Sequence, residues 1–131
     1  MRVLVFGGRE YQGRAHVFRV LSEMHAETPI TLVITGACTK KSKPWAIRGA
    51  DRWAEEWARE NEIPYIGYPA KWRTSNLGRG AGFSRNKGMF VQLKPAKAVG
   101  FPGGNGTASM WRICVEGGVI PRDERATPLQ T

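Results

Sequence analysis

The stretch Pro102-Gly103-Gly104-Asn105-Gly106-Thr107 directly follows the apolar run of residues 96–101. It reads as a short buried strand running into a glycine-rich turn, with a helix opening at Thr107 as its cap. Three glycines in four residues remove the Cβ atoms that would hold a ligand off the backbone. The N–H groups at a helix start point into such a turn, and the helix dipole favours an anion there. Phosphate is the natural guest, and a tight turn without a ligand is the plain alternative. A second glycine turn, Gly7-Gly8, follows the strand-like run 3–6 near the other end of the chain.

Outward from these turns, strand-like and helix-like segments alternate. Residues 2–6 read as a buried strand. Residues 13–27 read as a helix, with Val17, Phe18, Leu21 and Met24 on its core face. Residues 30–34 are a second strand, rich in β-branched side chains. A loop with Gly36 at its start leads to a second helix striped by Ala50, Trp53, Ala54, Trp57 and Ala58. Residues 63–68 form a third strand. Ser84 is placed to cap a third helix ending near Lys94-Pro95. Residues 96–101 form a fourth strand and 107–116 a fourth helix, stopped by Gly117-Gly118. Val119-Ile120 reads as a short last strand. Residues 121–131 read as a loosely held polar tail, which leaves 1–120 as the domain.

This alternation predicts an α/β fold, a Rossmann-like three-layer sandwich around a mostly parallel sheet of four to five strands. Ligands of such sheets bind at the carboxyl ends of the strands, where strand order reverses. The turns at Gly7-Gly8, Gly36 and Gly103-Gly104 all fall on that edge.

With 131 residues the chain suits one domain, burying roughly two-thirds of its unfolded surface. Five tryptophans and 41% hydrophobic residues argue against disorder. No apolar run approaches the ~20 residues of a membrane span. The N-terminus enters a strand without signal-peptide architecture, so a cytoplasmic protein is expected. Cys38 and Cys114 lack metal-ligand spacing and read as reduced thiols. A net charge of +9 favours phosphorylated or polyanionic partners. The densest basic patch is Lys40, Lys41, Lys43 and Arg48.

Several residues are candidates for chemistry. Arg9, after Gly7-Gly8, is suited to a bidentate phosphate contact or to plain solvation. Asp51, in Gly49-Ala50-Asp51, either stabilises a helix N-terminus or points into the cleft. Arg85-Asn86 opens the third helix, where an arginine opposes the dipole and a ligand role is favoured. Thr107 offers a hydroxyl. His16 and His25 lie nine residues apart on the first helix and read as surface residues without catalytic companions. There is no metal-ligand cluster, Walker loop or nucleophile elbow. No G-x-G-x-x-G follows the first strand. No cofactor is expected.

These motifs resemble the SLOG superfamily, in its YspA/YpsA-related type. The resemblance rests on Gly7-Gly8-Arg9, Gly49-Ala50-Asp51 with Trp57-Ala58, Ala81-Gly82 with Arg85-Asn86 and Met89, and Pro102 to Thr107. It implies a Rossmann-like domain for nucleotides or nucleotide-derived ligands, held by Gly7, Gly8, Arg9, Gly36, Gly49, Asn86, Gly103, Gly104, Asn105, Gly106 and Thr107. Related branches include the Lonely Guy phosphoribohydrolases and the DNA-processing protein A family. The phosphoribohydrolase pattern pairs an arginine, matched by Arg85, with a glutamate shortly after the glycine turn. Here Ala108-Ser109-Met110 follows Thr107, so that carboxylate is missing from a chemistry that needs one.

The leading expectation is a nucleotide-binding sensor, carrier or processing enzyme. One alternative is a nucleoside monophosphate N-glycosidase with Arg85 and Asp51 as its catalytic pair. Another is a single-stranded nucleic-acid binder, with Trp45 or Trp72 stacking on bases. A homodimer is expected too, and an exposed Trp57 or Trp111 would mark its interface.

Overall fold

The computed structural model describes residues 1–36, 49–67, 87–88 and 90–126, with the backbone but not the side chain of Asn105. The first strand, β1 (Arg2–Phe6), alternates its side chains between two covered faces. Val3 and Val5 enter one core cluster, and Leu4 and Phe6 enter the other. A strand buried on both faces needs no polar alternation, which explains its uninterrupted apolar run.

The order of elements is β1, α1 (Arg14–Glu27), β2 (Leu32–Thr35), α2 (Ala50–Glu60), β3 (Tyr65–Gly67), β4 (Lys97–Gly100), α3 (Asn105–Glu116) and β5 (Arg122–Asp123). Residues 87–88 and 90–93 are also helical. The five strands form one sheet in the order β3-β2-β1-β4-β5, and every pairing is parallel. This is the expected Rossmann-like α/β sandwich.

Helices α1 and α2 cover one face. Val17, Val20, Leu21 and Met24 of α1 meet Ala54, Trp57 and Ala58 of α2 over Val3, Val5, Val33 and Val99. Trp57 is 1% exposed, and its Nε1 donates to Ser22 Oγ at 3.0 Å, joining the two helices. The opposite face is covered by Met110, Ile113 and Cys114 of α3, with Phe90 and Leu93 packed beside them. The chain builds β2 and β3 to one side of β1, then crosses to build β4 and β5 on the other. Right-handed crossovers in opposite directions place their helices on opposite faces. The reversal leaves a switch point between the carboxyl ends of β1 and β4.

Two expectations at the end of the chain need correction. Helix α3 begins at Asn105, with Gly104 as N-cap and no side-chain cap bond. Thr107 is therefore not the cap; it lies inside the first turn and is 6% exposed. The last strand is not Val119-Ile120. Those residues form the exit from α3, where Val119 N–H bonds Cys114 O at 2.8 Å and Ile120 is exposed. Pro121 has no N–H for a ladder, and pairing resumes beyond it, Val99 with Arg122 and Gly100 with Asp123. Residues 122–124 are thus tied to the sheet.

Candidate functional site

Two turns and the start of α2 meet at the carboxyl ends of β1 and β4, and they are joined by hydrogen bonds through the β1 turn. Gly8 N–H donates to Pro102 O at 2.8 Å, joining the β1 turn to the β4 turn. Ala50 N–H donates to Gly8 O at 3.1 Å, and Gly49 N–H donates to Tyr11 O at 3.1 Å, joining the β1 turn to the start of α2. Trp53 Nε1 also donates to Tyr11 O, at 2.7 Å.

The glycines divide into two groups by what a Cβ would meet. At Gly7 it would lie 2.7 Å from Ala50 Cβ, and at Gly8 3.0 Å from Pro102 O. At Gly103 it would lie 2.0 Å from Thr107 Oγ1 and 2.7 Å from Gly8 N. Gly49 has φ +115° and would meet Arg9 O at 2.6 Å. Gly8, Gly49 and Gly103 let backbone approach backbone, and Gly7 makes room for the Cβ atoms of Ala50 and Phe101. Gly104 and Gly106 are different: a Cβ at either would meet nothing within 4 Å. They are the turn glycines whose missing side chains leave open space, and they stand at the start of α3.

Three other expected site residues are described. Arg9 is exposed on the β1 turn, and Gly36 is buried directly after β2. Asp51 is half-buried in the first turn of α2. Arg85 and Asn86, with Ala81, Gly82, Ser84, Met89, Cys38, Trp45, Trp72 and the basic patch from Lys40 to Arg48, lie outside the described residues. Met110 is 1% exposed within the apolar core. Ser109 Oγ is buried without a hydrogen-bond partner.

Sequence reasoning missed four participants. Glu55 stands one turn after Asp51 on α2 and accepts a 2.6 Å hydrogen bond from Thr35 Oγ1, at the end of β2. The 51/55 spacing, which puts two carboxylates on one helix face, was the available signal. The others are Tyr11, His16 and Glu124. His16 is not a lone surface residue. Its Nδ1 is hydrogen-bonded to the Tyr11 hydroxyl, its Nε2 lies 2.8 Å from Glu124 Oε1, and its ring packs edge-on against Phe101. His25 is also engaged, accepting from Ile30 N–H at 2.9 Å and packing edge-on against Trp57.

The electrostatics follow from these contacts. Burial alone would raise the Glu124 carboxyl, but hydrogen bonds from His16 and Arg122 outweigh it and hold the group below its ordinary range. Burial, reinforced by the Glu124 charge, pushes the Tyr11 phenol up, so it stays protonated at neutral pH. Burial pushes the Cys114 thiol up to about 12, which makes it an inert core residue rather than a nucleophile. Among the described residues no group of three or more His, Cys, Asp or Glu is placed to hold a metal ion. Trp57 is buried and Trp111 is covered by the Arg125 guanidinium at 3.8 Å. Neither is the exposed tryptophan that was expected to mark a dimer interface.

A family model matches residues 1–74, which include β1, its glycine turn and the whole of α2. That model describes the YspA, cpYpsA-related SLOG family, abbreviated YAcAr. The chain belongs to this SLOG family. The α/β sandwich is the SLOG fold, and membership points to binding or processing of a nucleotide-related ligand. The SLOG match ends before Arg85 and the Pro102 to Thr107 turn, so those motifs stand on the residues themselves. A search of curated proteins found no match. Among the described residues no helix is long and apolar enough to cross a membrane.

Proposed function

We propose that this SLOG domain binds a nucleotide or nucleotide-derived ligand in the crevice between the carboxyl ends of β1 and β4. The observation that carries the reading is a coincidence of position. Strand order reverses between β1 and β4, and Gly104 and Gly106, the turn glycines with open space, stand there at the start of a helix. A phosphate on the N-terminus of α3 would meet backbone N–H groups and the positive end of the helix dipole. Arg9 and Arg85 would add charge, and Asn86, Asn105 and Asp51 would contact ribose or base. Gly7, Gly8, Gly36, Gly49, Gly103 and Thr107 would shape the floor.

This reading fits a sensor or carrier as well as an enzyme. For N-glycosidic cleavage we place the carboxylate on α2, since Met110 on α3 is a core residue. Asp51 would take that role, with Arg85 as its partner. A cytoplasmic homodimer is the setting in which we place it.

The test is a thermal-shift screen with AMP, cyclic nucleotides, ADP-ribose and NAD, with products followed by chromatography. Stabilisation with the ligand intact supports binding or sensing. Release of free base supports the glycosidase. A flat panel overturns the reading, and salt-sensitive binding of an oligonucleotide in its place would transfer it to nucleic acid. For any hit, Arg85→Ala is expected to weaken binding by about 2 kcal/mol through loss of a charge-assisted contact. Unchanged affinity in a folded variant removes Arg85 from the site.

A further inference from the structure

Glu124, His16 and Tyr11 form a hydrogen-bonded chain, and its far end grips the start of α2. Glu124 follows β5, and its N–H continues the ladder to Gly100 O at 2.9 Å. Its carboxylate meets His16 Nε2, and both side chains are largely buried, at 19% and 9% exposure. His16 Nδ1 meets the Tyr11 hydroxyl. The backbone oxygen of Tyr11 holds Gly49 N–H and Trp53 Nε1. The chain thus runs from the edge of the sheet, through α1 and the β1 turn, to the helix whose first turn carries Asp51.

The chemistry of the partners fixes the protons. An ionised carboxylate only accepts, so His16 Nε2 carries the hydrogen. Nδ1 of the neutral ring is then bare and takes the phenol proton. Only this tautomer of the neutral imidazole satisfies both neighbours. A second proton converts Nδ1 into a donor, and the phenol hydrogen must find another acceptor. The rings have little room to rearrange. His16 stands edge-on to Phe101 at 5.1 Å, and Tyr11 stacks on the same ring at 6.1 Å.

We propose that Tyr11, His16 and Glu124 are a positioning relay for the candidate site, in which protonation of His16 shifts the turn at residues 8–11 against the start of α2. The effect on a ligand rests on the nucleotide reading above; the relay itself does not. The charged and titratable groups around His16 come from three elements. Tyr11 faces it from the β1 turn. Glu124 faces it from the end of β5, backed by Arg122 at 3.0 Å. Arg19 and Glu23 lie further along α1, Arg19 close enough to act on Tyr11 and Glu23 paired with Arg122 at 2.6 Å. From the end of β4 the neighbour is the apolar ring of Phe101.

The experiment reads Trp53, whose indole N–H is the far end of the relay. Trp57 bonds Ser22 outside it but packs against the His25 ring, so His16→Gln serves as the control. His16 ring and tryptophan indole resonances are followed by NMR from pH 8 to pH 5. The expected result is a Trp53 indole shift that follows the His16 ring signals and is absent in His16→Gln, with loss of that coupling in Tyr11→Phe. Glu124→Gln keeps an acceptor for Nε2 and is expected to retain the neutral tautomer, whereas Glu124→Ala releases it. AMP affinity is expected to fall several-fold from pH 8 to pH 5 beyond any change in His16→Gln, the comparison that removes the titration of AMP's own phosphate near pH ~6. A Trp53 indole that stays still while His16 titrates overturns the relay. So does a His16 that takes up no proton above pH 5. If AMP binds at neither pH, AMP is not the ligand of this site, and the Trp53 signal still decides the relay.

Discussion

A glycine does different work at Gly103 and at Gly106, although both belong to the same turn. A Cβ at Gly103 would lie 2.0 Å from Thr107 Oγ1 and 2.7 Å from the Gly8 nitrogen, and the latter is backbone that cannot swing aside. Gly103→Ala is therefore expected to destabilise the fold by about 2–3 kcal/mol, as overpacking does. Gly106 lies within α3 and a Cβ there meets nothing. Gly106→Ala is expected to be neutral or to stabilise by up to ~1 kcal/mol, from helix propensity. The same Cβ would stand on the surface offered to a phosphate and weaken a nucleotide hit. Thermal melts with and without that hit measure both effects; equal melting temperatures for the two apo variants would contradict the division. The sequence showed that these glycines mattered, because glycine at a strand end is a local signal. It did not show which of them serve packing, because that depends on the distance between turns 95 residues apart in the chain, Gly8 and Gly103.

At the scale of elements, the clearest departure from expectation is β5. Two residues are too few for any hydrophobic period, so the segment after Pro121 read as a tail. Its attachments are polar and distant. Arg122 pairs with Glu23 of α1, and Glu124 pairs with His16, 108 positions away. The elements β1, α1, α2 and β4 were legible because each carries an apolar pattern, and the ends of β1, α1 and β4 fall within one residue of expectation. The carboxylates of β5 make its attachment pH-dependent. Hydrogen bonds from Arg125 hold Asp123 low, and those from His16 and Arg122 hold Glu124 low against the effect of burial. Groups depressed in the folded state stabilise it above their unfolded pKa, about 4. That contribution is lost as pH falls through the folded values. Asp123 is 54% exposed and screened by solvent, so Glu124 dominates. The Glu124 amide is expected to lose about tenfold in exchange protection on acidification from pH 6 to below pH 4, while Val99 in the central ladder keeps its own. That factor corresponds to about 1.5 kcal/mol of charge-assisted hydrogen bonding. Parallel losses at both amides would mean global unfolding, and no loss at Glu124 would mean that backbone pairing alone holds β5.

At the scale of the molecule, the +9 charge is not a property of the scaffold. Eight of the 20 Lys and Arg residues lie in segments 37–48 and 68–86, and none of the 11 Asp and Glu residues does. The described scaffold is therefore close to neutral. Both basic segments leave the sheet from its carboxyl edge, one directly after β2 and the other directly after β3. That is the edge on which the glycine turns open, and under the proposed function the charge of these segments acts on the anionic ligand. Salt then separates folding from binding. Between 50 and 500 mM salt the melting temperature is expected to change little, because exposed ion pairs such as Arg14–Glu60 at 2.9 Å contribute only about 0–1 kcal/mol each. Affinity for a mononucleotide is expected to fall only modestly, because salt screens the ligand's charge against the cations around it. An oligonucleotide that bound with a slope of roughly −4 or steeper would neutralise several phosphates at once. It would make the two basic segments a track for a polyanion rather than a collar around a single ligand.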